Sequence, residues 1–390
     1  MSQLKVNTIR HTSASSDAIE LATDGTCTAK ITNNLSNRNL IINGSFQCSQ
    51  RGSSFTTGTS NFSTYTLDRW KIVTYATDQL NLTVTQEPMN QAVPGFKNYI
   101  KISPNAAETS LASDEYTNLR QSIEAQDLQQ LCYGTSSAKS LTLSFWVKSN
   151  TTGTACITFN KHDATGYYIT RTYTINSSDT WEKKTVTIPG LTPSGIANDN
   201  GIGLNIYWFL SAGSDYTSSD STSWVTTADS KYAYGHAINL TDSTSDYLAL
   251  AGVQLEVDST GSGVATDFEH RSYGDELARC QRYYETHNHL TTAKTTDGDV
   301  TSYWSTITSN DSNTLVVSTG IIYKVPKRAS PTVTIYNSSD TSTAARVNAQ
   351  GTERTVNATY GGPHALTRIY VLGASAGNYV TYNWEASAEL

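Results

Sequence analysis

The chain has 390 residues, a formal net charge of −7, and only 16% charged side chains. That length exceeds one ordinary domain and is enough to bury two cores. An acidic chain without clustered Lys and Arg excludes a nucleic-acid partner, because neutralising phosphates needs such clusters. The longest basic stretch, Lys324 with Lys327 and Arg328, is expected to be a turn.

Composition leans towards β structure. Tyr is abundant (23) beside 8 Phe and 2 Met, and Ser, Thr and Asn recur throughout. Thr and Tyr suit a pleated, half-solvated surface, while Ser, Asn and Gly supply turns. Cys27, Cys48, Cys132, Cys156 and Cys280 are odd in number, widely spaced and without a CxxC pair, so buried free thiols are expected. No stretch has signal-peptide or membrane-span character, so synthesis in a cytoplasm without membrane insertion is expected.

Residues 1–37 hold two short alternating segments, Leu4 to Ile9 and Ala18 to Ala22, which stop at Asp24-Gly25. Two such strands make no stable core alone. They predict an attachment and oligomerisation arm that pairs with copies of itself or with a neighbouring protein. From 38 to 271 the period-two pattern returns at Asn39 to Ile42, Tyr99 to Ile102, Leu141 to Val147, Lys184 to Ile188, Gly203 to Leu210 and Leu248 to Val257. Many short strands separated by turn residues predict a sandwich or barrel. A short helix is expected over Ser122 to Leu131. A second helix, expected within 272–286, starts at Ser272-Tyr273-Gly274-Asp275, with a capping hydroxyl and acids in its first turn. It links to a β-patterned region, 287–390, with strands expected at Val300 to Trp304, Thr314 to Ser318, Thr332 to Tyr336, Arg368 to Leu372 and Tyr382 to Ala386. The fold class is therefore all-β, with a central sandwich, a second, smaller C-terminal β-sandwich, a β-rich arm and one linking helix.

Several of these segments resemble a known family. Asn39 to Gln47, Gln50 to Phe55 and Tyr65-Thr66-Leu67-Asp68-Arg69-Trp70 resemble the opening of a jelly-roll module of phage and prophage tail-fibre proteins. Residues 141–149 (LTLSFWVKS), Trp181 to Pro189 and 252–257 (GVQLEV) resemble its later strands. Residues 268–273 (FEHRSY), running into 276–284 (ELARCQRYY), resemble its exit. Val325 to Val333 resembles the region that often follows the module, and the first 35 residues are similar to leaders of virion proteins from marine and cyanobacterial phages. The resemblance implies a carbohydrate-module-like jelly roll on a homotrimeric virion appendage. That appendage would be joined to other tail proteins by the N-terminal arm, with the C-terminal domain distal and host-surface glycan as a possible partner.

Related carbohydrate modules often hold a structural calcium between the opening motif and an acid of the last strand, which implies Asn43, Gln47 and Glu256 here. Calcium prefers carboxylate oxygens, and Gln47 stands where the family carries Glu. Trp70, Trp146 and Trp181 lie in strand patterns and are expected in the core. Tyr216, Trp224, Tyr232 and Tyr234, in the loop-rich stretch 211–235, are the candidates for a sugar-stacking surface, with a structural role as the alternative. Asp275 and Glu276 are read as a helix start rather than a catalytic pair. His287-Asn288-His289 lacks a third metal ligand, and His270 and Arg271 are expected to fix the helix junction. The function expected is a non-enzymatic tail fibre or adhesin. A structural spacer is the alternative, and a depolymerase would need a β-helical period that the chain lacks.

Overall fold

The computed structural model describes residues 6–13, 19–21, 23, 27–29, 36–59, 61–75, 80–258, 261–287, 303–311, 314–337, 344–347, 352–372 and 379–390. Its sheets are antiparallel throughout. The arm forms three short strands, β1 (Thr8–Ile9), β2 (Ile19–Leu21) and β3 (Cys27–Ala29), one more than the sequence pattern indicates. Ile9 and Leu21 are exposed on this small sheet.

The central unit runs from β4 (Ser54–Thr56) through β5 (Phe62–Tyr65), β6 (Lys71–Tyr75), β7 (Asn81–Pro88), β8 (Asn98–Ala106) and β9 (Tyr116–Glu124). It continues with β10 (Ser140–Lys148), β11 (Gly153–Lys161), β12 (Tyr167–Ile175), β13 (Glu182–Ile188), β14 (Ile202–Ala212), β15 (Val225–Thr226) and β16 (Leu248–Asp258). Two sheets result: a six-stranded one ordered β13-β10-β16-β8-β7-β4 and a seven-stranded one ordered β15-β12-β11-β14-β9-β6-β5. Leu141, Leu143, Phe145 and Val147 of β10 point inward against Leu204, Ile206, Trp208 and Leu210 of β14, all fully buried. Trp70 joins this jelly-roll core, 5.5 Å from the ring of Trp208. Trp146 and Trp181 do not. They lie half-buried over Met89, Val93 and Ala251, because the pleat that turns Phe145 and Val147 inward turns Trp146 outward.

The stretch expected as a helix from Ser122 begins instead as the end of β9; only Ala125–Leu131 is helical, in 3₁₀ form. The linking helix spans Tyr273–Gln281, and the Ser272 hydroxyl accepts from the Asp275 N–H at 3.2 Å.

The C-terminal region contains β17 (Tyr284–Thr286), β18 (Tyr303–Asp311), β19 (Thr314–Ile322), β20 (Thr332–Asn337), β21 (Ala344–Val347), β22 (Thr352–Gly361), β23 (Ala365–Leu372) and β24 (Tyr379–Ser387). Its described strands form a single sheet that closes on itself. The order β24-β18-β19-β23-β22-β21 returns to β24 through the pairing of Arg346 and Val347 with Thr381 and Val380. The other half of β24 pairs with β17 and β20.

The motifs that carry the family resemblance converge where these two units meet. Asn43 donates to the carbonyls of Cys48 and Asp68 and accepts from the Cys48 N–H. Gly44 touches β16 so closely that a Cβ would sit 2.0 Å from the Val253 carbonyl oxygen. Arg271 bonds the carbonyls of Ile41 and Asn39 and the carboxylates of Glu269 and Glu276, as expected of a junction residue. His270 instead packs its ring against Phe96 and Phe268. The basic stretch is a bend in which Lys324 is exposed and Lys327 is buried: the Lys327 ammonium pairs with Glu285 at 2.6 Å, and Arg328 donates to the carbonyls of Asn200, Ala388 and Glu389.

Arg69 sits at the centre of this junction. It holds a left-handed backbone (φ 72°), is 1% exposed, lies 3.4 Å from the centroid of the Tyr283 ring, donates to the Ser122 carbonyl and pairs with Glu389. Arg51 bridges the same Glu389 (3.1 Å) to Asp68 (3.4 Å). Burial pushes the Asp68 carboxyl up to about 6 even beside Arg51 and Gln50. Breaking one partner of such a pair leaves a buried charge uncompensated. Arg69→Ala and Glu389→Ala are each expected to lower unfolding stability by about 3–5 kcal/mol, and the double variant by clearly less than their sum. Urea unfolding of the four proteins measures this, and additive losses would mean the pair is not coupled.

Candidate functional site

The outer face of the seven-stranded sheet is built by the residues that alternate with the core. On β9 these are Tyr116, Asn118, Arg120 and Ser122; on β14 they are Asn205, Tyr207 and Phe209. Cross-strand register arranges them in rows. Ser122, Asn205, Asn160 and Tyr168 form one row, and Lys71, Arg120, Tyr207, Thr158 and Thr170 the next. Val73, Asn118 and Phe209 follow, and Tyr75 opposite Tyr116 closes the face. One end is thus amide- and hydroxyl-lined with two cations, and the other is aromatic.

A loop from Gly213 to Leu240 folds back over part of this face. Leu240 donates to the Leu210 carbonyl at 2.9 Å, Ala237 to Thr154 at 3.0 Å, and the Thr158 hydroxyl to the Tyr232 carbonyl at 2.6 Å. The Tyr232 side chain is 8% exposed and lies among the rings of Tyr116, Tyr168, Tyr207, Phe209 and Tyr216 at 4.9–5.9 Å. Its hydroxyl accepts from Asn118 and Arg120 at 3.2 and 3.1 Å. Edge-to-face contacts of this kind fix ring positions as well as burying area.

The four tyrosines and tryptophans singled out in the sequence divide accordingly. Tyr232 is buried in the face. Tyr216 is half-buried beside it, its hydroxyl donating to the Asp114 carbonyl at 3.0 Å. Burial, with Tyr116 and Asp229 near, pushes the Tyr216 hydroxyl up to about 12. Trp224 lies elsewhere, its indole N–H on the Pro189 carbonyl at 2.7 Å and its ring edge-on to Tyr133. Tyr234 is half-buried further along the loop. The sequence pattern did not point to Tyr75, which is 43% exposed and stacks on Tyr116 at 6.1 Å and 17°. Together Tyr75, Tyr116 and Tyr216 make an accessible aromatic rim. Reading 116–124 as a strand would have exposed the pattern, since its alternate residues include Tyr116 and Arg120.

The calcium set does not assemble. The Asn43 amide is occupied by backbone groups, and both Glu256 oxygens accept hydrogen bonds, from the Thr266 N–H and hydroxyl and from Gln254. Gln47 is half-buried. Those partners already supply what a cation would offer the oxygens, so these residues do not fit a metal ion. Among the described residues no three His, Cys, Asp or Glu side chains converge as a metal site. His287 stacks on Trp384 with its Nδ1 3.3 Å from Asn383, while Asn288 and His289 lie outside the described residues. Cys48, Cys156 and Cys280 are buried and unbridged and Cys132 is half-buried, while the Cys27 side chain lies outside the described residues. Among the described residues no helix is long and apolar enough to cross a membrane.

No protein-family profile and no curated protein matches the chain. Solved structures to which parts of the chain are similar include the enzymatically active domain of bacteriophage CBA120 tailspike protein 4 (13% identity, TM-score 0.28). That match covers 48% of this chain and 19% of the tailspike. A family 11 carbohydrate-binding module of Clostridium thermocellum aligns at 12% identity over 52% of this chain and 95% of its own, with a TM-score of 0.26. A family 61 module in complex with β-1,4-galactotriose aligns at 9% over 57% and 99%, with a TM-score of 0.27.

The loop that shapes the face is anchored by His236. The ring is 8% exposed, and its Nδ1 accepts from the Cys156 N–H at 3.3 Å, a bond only the neutral imidazole makes. Burial lowers its pKa to about 4 from 6.5. The folded state therefore binds fewer protons than the unfolded one between these values, so stability is full above pH 6.5 and falls as pH drops towards 4. The melting temperature of the native protein should decline across that window, and that of His236→Gln should decline less. Parallel profiles would show that this ring does not carry the effect.

Proposed function

We propose that this protein is a non-enzymatic appendage of a phage tail, a homotrimer attached through its N-terminal arm, that contacts host-surface glycan with the outer face of its seven-stranded sheet. The observation that carries the proposal is the rim of Tyr75, Tyr116 and Tyr216 standing beside rows of amides and hydroxyls. Flat rings pack on the apolar faces of pyranoses, and fixed amides and hydroxyls match sugar hydroxyls, so both halves of sugar recognition lie on one sheet. The motif resemblance to tail-fibre proteins supports the virion setting. Exposed Ile9 and Leu21 on the three-stranded arm sheet support pairing of the arm with copies of itself or with a tail protein.

One observation favours a second reading, a structural spacer: Tyr232 already fills the middle of the face with the chain's own loop. The two part in a cell-binding experiment. Fluorescently labelled full-length protein, its oligomeric state fixed by light scattering, should bind susceptible but not resistant host cells. Tyr75→Ala should weaken that binding by about 0.5–1.5 kcal/mol, the contribution of one aromatic contact. A trimer that ignores both cell types would establish the spacer, and a monomer would remove the trimer.

A further inference from the structure

Lys71 and Arg120 are directly opposed partners on β6 and β9. Like charges in that position repel and destabilise the sheet. Five buried or half-buried cations elsewhere are given carboxylates: Arg69 and Arg51 have Glu389, Arg282 has Glu124, Lys327 has Glu285, and Arg271 has Glu269 and Glu276, while Lys161, Arg171 and Arg328 are held by carbonyl oxygens. Lys71 and Arg120 form no ion pair among the described residues. Lys71 lies over the Tyr65 ring at 5.2 Å, and Arg120 lies over Tyr207 at 4.6 Å while donating to Asn118 and Tyr232. Glu389 is near enough to be felt by Lys71 but is held by Arg51 and Arg69. Burial and the neighbouring Arg120 lower the Lys71 pKa against the pull of Glu389, while against burial the surrounding tyrosine hydroxyls raise that of Arg120, so the mutual repulsion falls on Lys71.

In the next row Asn160 is 6% exposed. Its Nδ2 donates to the Tyr207 hydroxyl at 2.9 Å, and its Oδ1 has no hydrogen-bond partner. A buried amide oxygen left so costs free energy unless a donor arrives. Two cations without carboxylates, and an unfilled acceptor in the neighbouring row two strands from Arg120, describe a site for an extended molecule carrying both an oxyanion and hydroxyl donors. Asp114 and Asp229 act on Tyr216 at the aromatic rim, and Asp229 also reaches Tyr168 in the row of Asn160.

We infer that the saccharide this face takes is acidic, with its carboxylate or sulfate bound between Lys71 and Arg120 and a hydroxyl donated to Asn160. This rests on the glycan contact proposed above and adds the ligand's charge and its direction on the sheet. The anionic group lies at the cationic end, and the apolar sugar face lies towards Tyr75 and Tyr116.

The test uses full-length protein and an immobilised panel of matched oligosaccharides: uronates with their methyl esters, and sulfated glycans with their desulfated forms. The expected result is preferential binding of acidic members, weakening with added salt. Lys71→Gln should reduce affinity for them roughly tenfold, closing most of the gap to the neutral partners. Lys71 is not among the hydrogen-bond or ring partners of Tyr232, so its variant should keep the ring cluster, which an unchanged near-ultraviolet circular dichroism spectrum checks; Arg120→Gln is compared beside it. The uronate and sulfate arms identify the oxyanion. Equal binding of neutral and acidic members, or a gap that survives both substitutions, would overturn the inference while leaving glycan contact standing. Binding to no member would remove the glycan proposal and this inference together.

Discussion

A guanidinium with 1% exposure must find its partners inside the protein, and Arg69 draws them from three other parts of the chain. The opening motif supplies the residue itself, β9 a carbonyl, the linking helix's exit the Tyr283 ring, and the C-terminal segment Glu389. No one of these segments can satisfy the charge alone. The jelly roll, the helix and the C-terminal sheet are therefore folded against one another as a condition of burying it. The left-handed backbone at Arg69 fits this view, because a non-glycine residue there needs surroundings that over-determine it.

That constraint explains why the recognisable motifs are not the candidate site. Asn43, Arg51, Asp68, Arg69, Glu276 and Tyr283 belong to one buried hydrogen-bonded joint, and networks of this type tolerate little change once partly desolvated. Asn43 donates and accepts with backbone groups, which accounts for it without a cation. A resemblance carried by such residues transmits the architecture of the joint. It carries little about what the exposed face of the sandwich touches.

The fold was legible where one face of a strand is apolar and the other polar. Leu141 to Val147 and Gly203 to Leu210 show it. Legibility failed at β9, where Thr117 and Gln121 point inward beside Leu119 and Ile123 and blur the period, and where Glu124-Ala125-Gln126 brings helix formers to the strand end. That one missed strand hid Tyr116 and Arg120, and with them the aromatic rim and the cationic end of the candidate site. Tyr216 and Tyr232 were legible as a loop cluster. Which of them is accessible was not, since it depends on a loop folding onto a sheet far away in sequence.

Filling by Tyr232 and binding by the same face are compatible on physical grounds. An open pleated face of tyrosines and asparagines would collapse or adapt, whereas rings locked edge-to-face around Tyr232 hold Tyr116 and Arg120 in place before any ligand arrives. Such preorganisation lowers the ordering cost of binding. The electrostatics point the same way. A chain with net charge −7 is repelled by an anionic surface at long range, but within a Debye length the local arrangement of charge decides. Lys71 and Arg120, opposed on neighbouring strands with no carboxylate between them, are then a local exception to the molecule's own charge. Their mutual repulsion is relieved when an anion sits between them, and a neutral ligand leaves it in place.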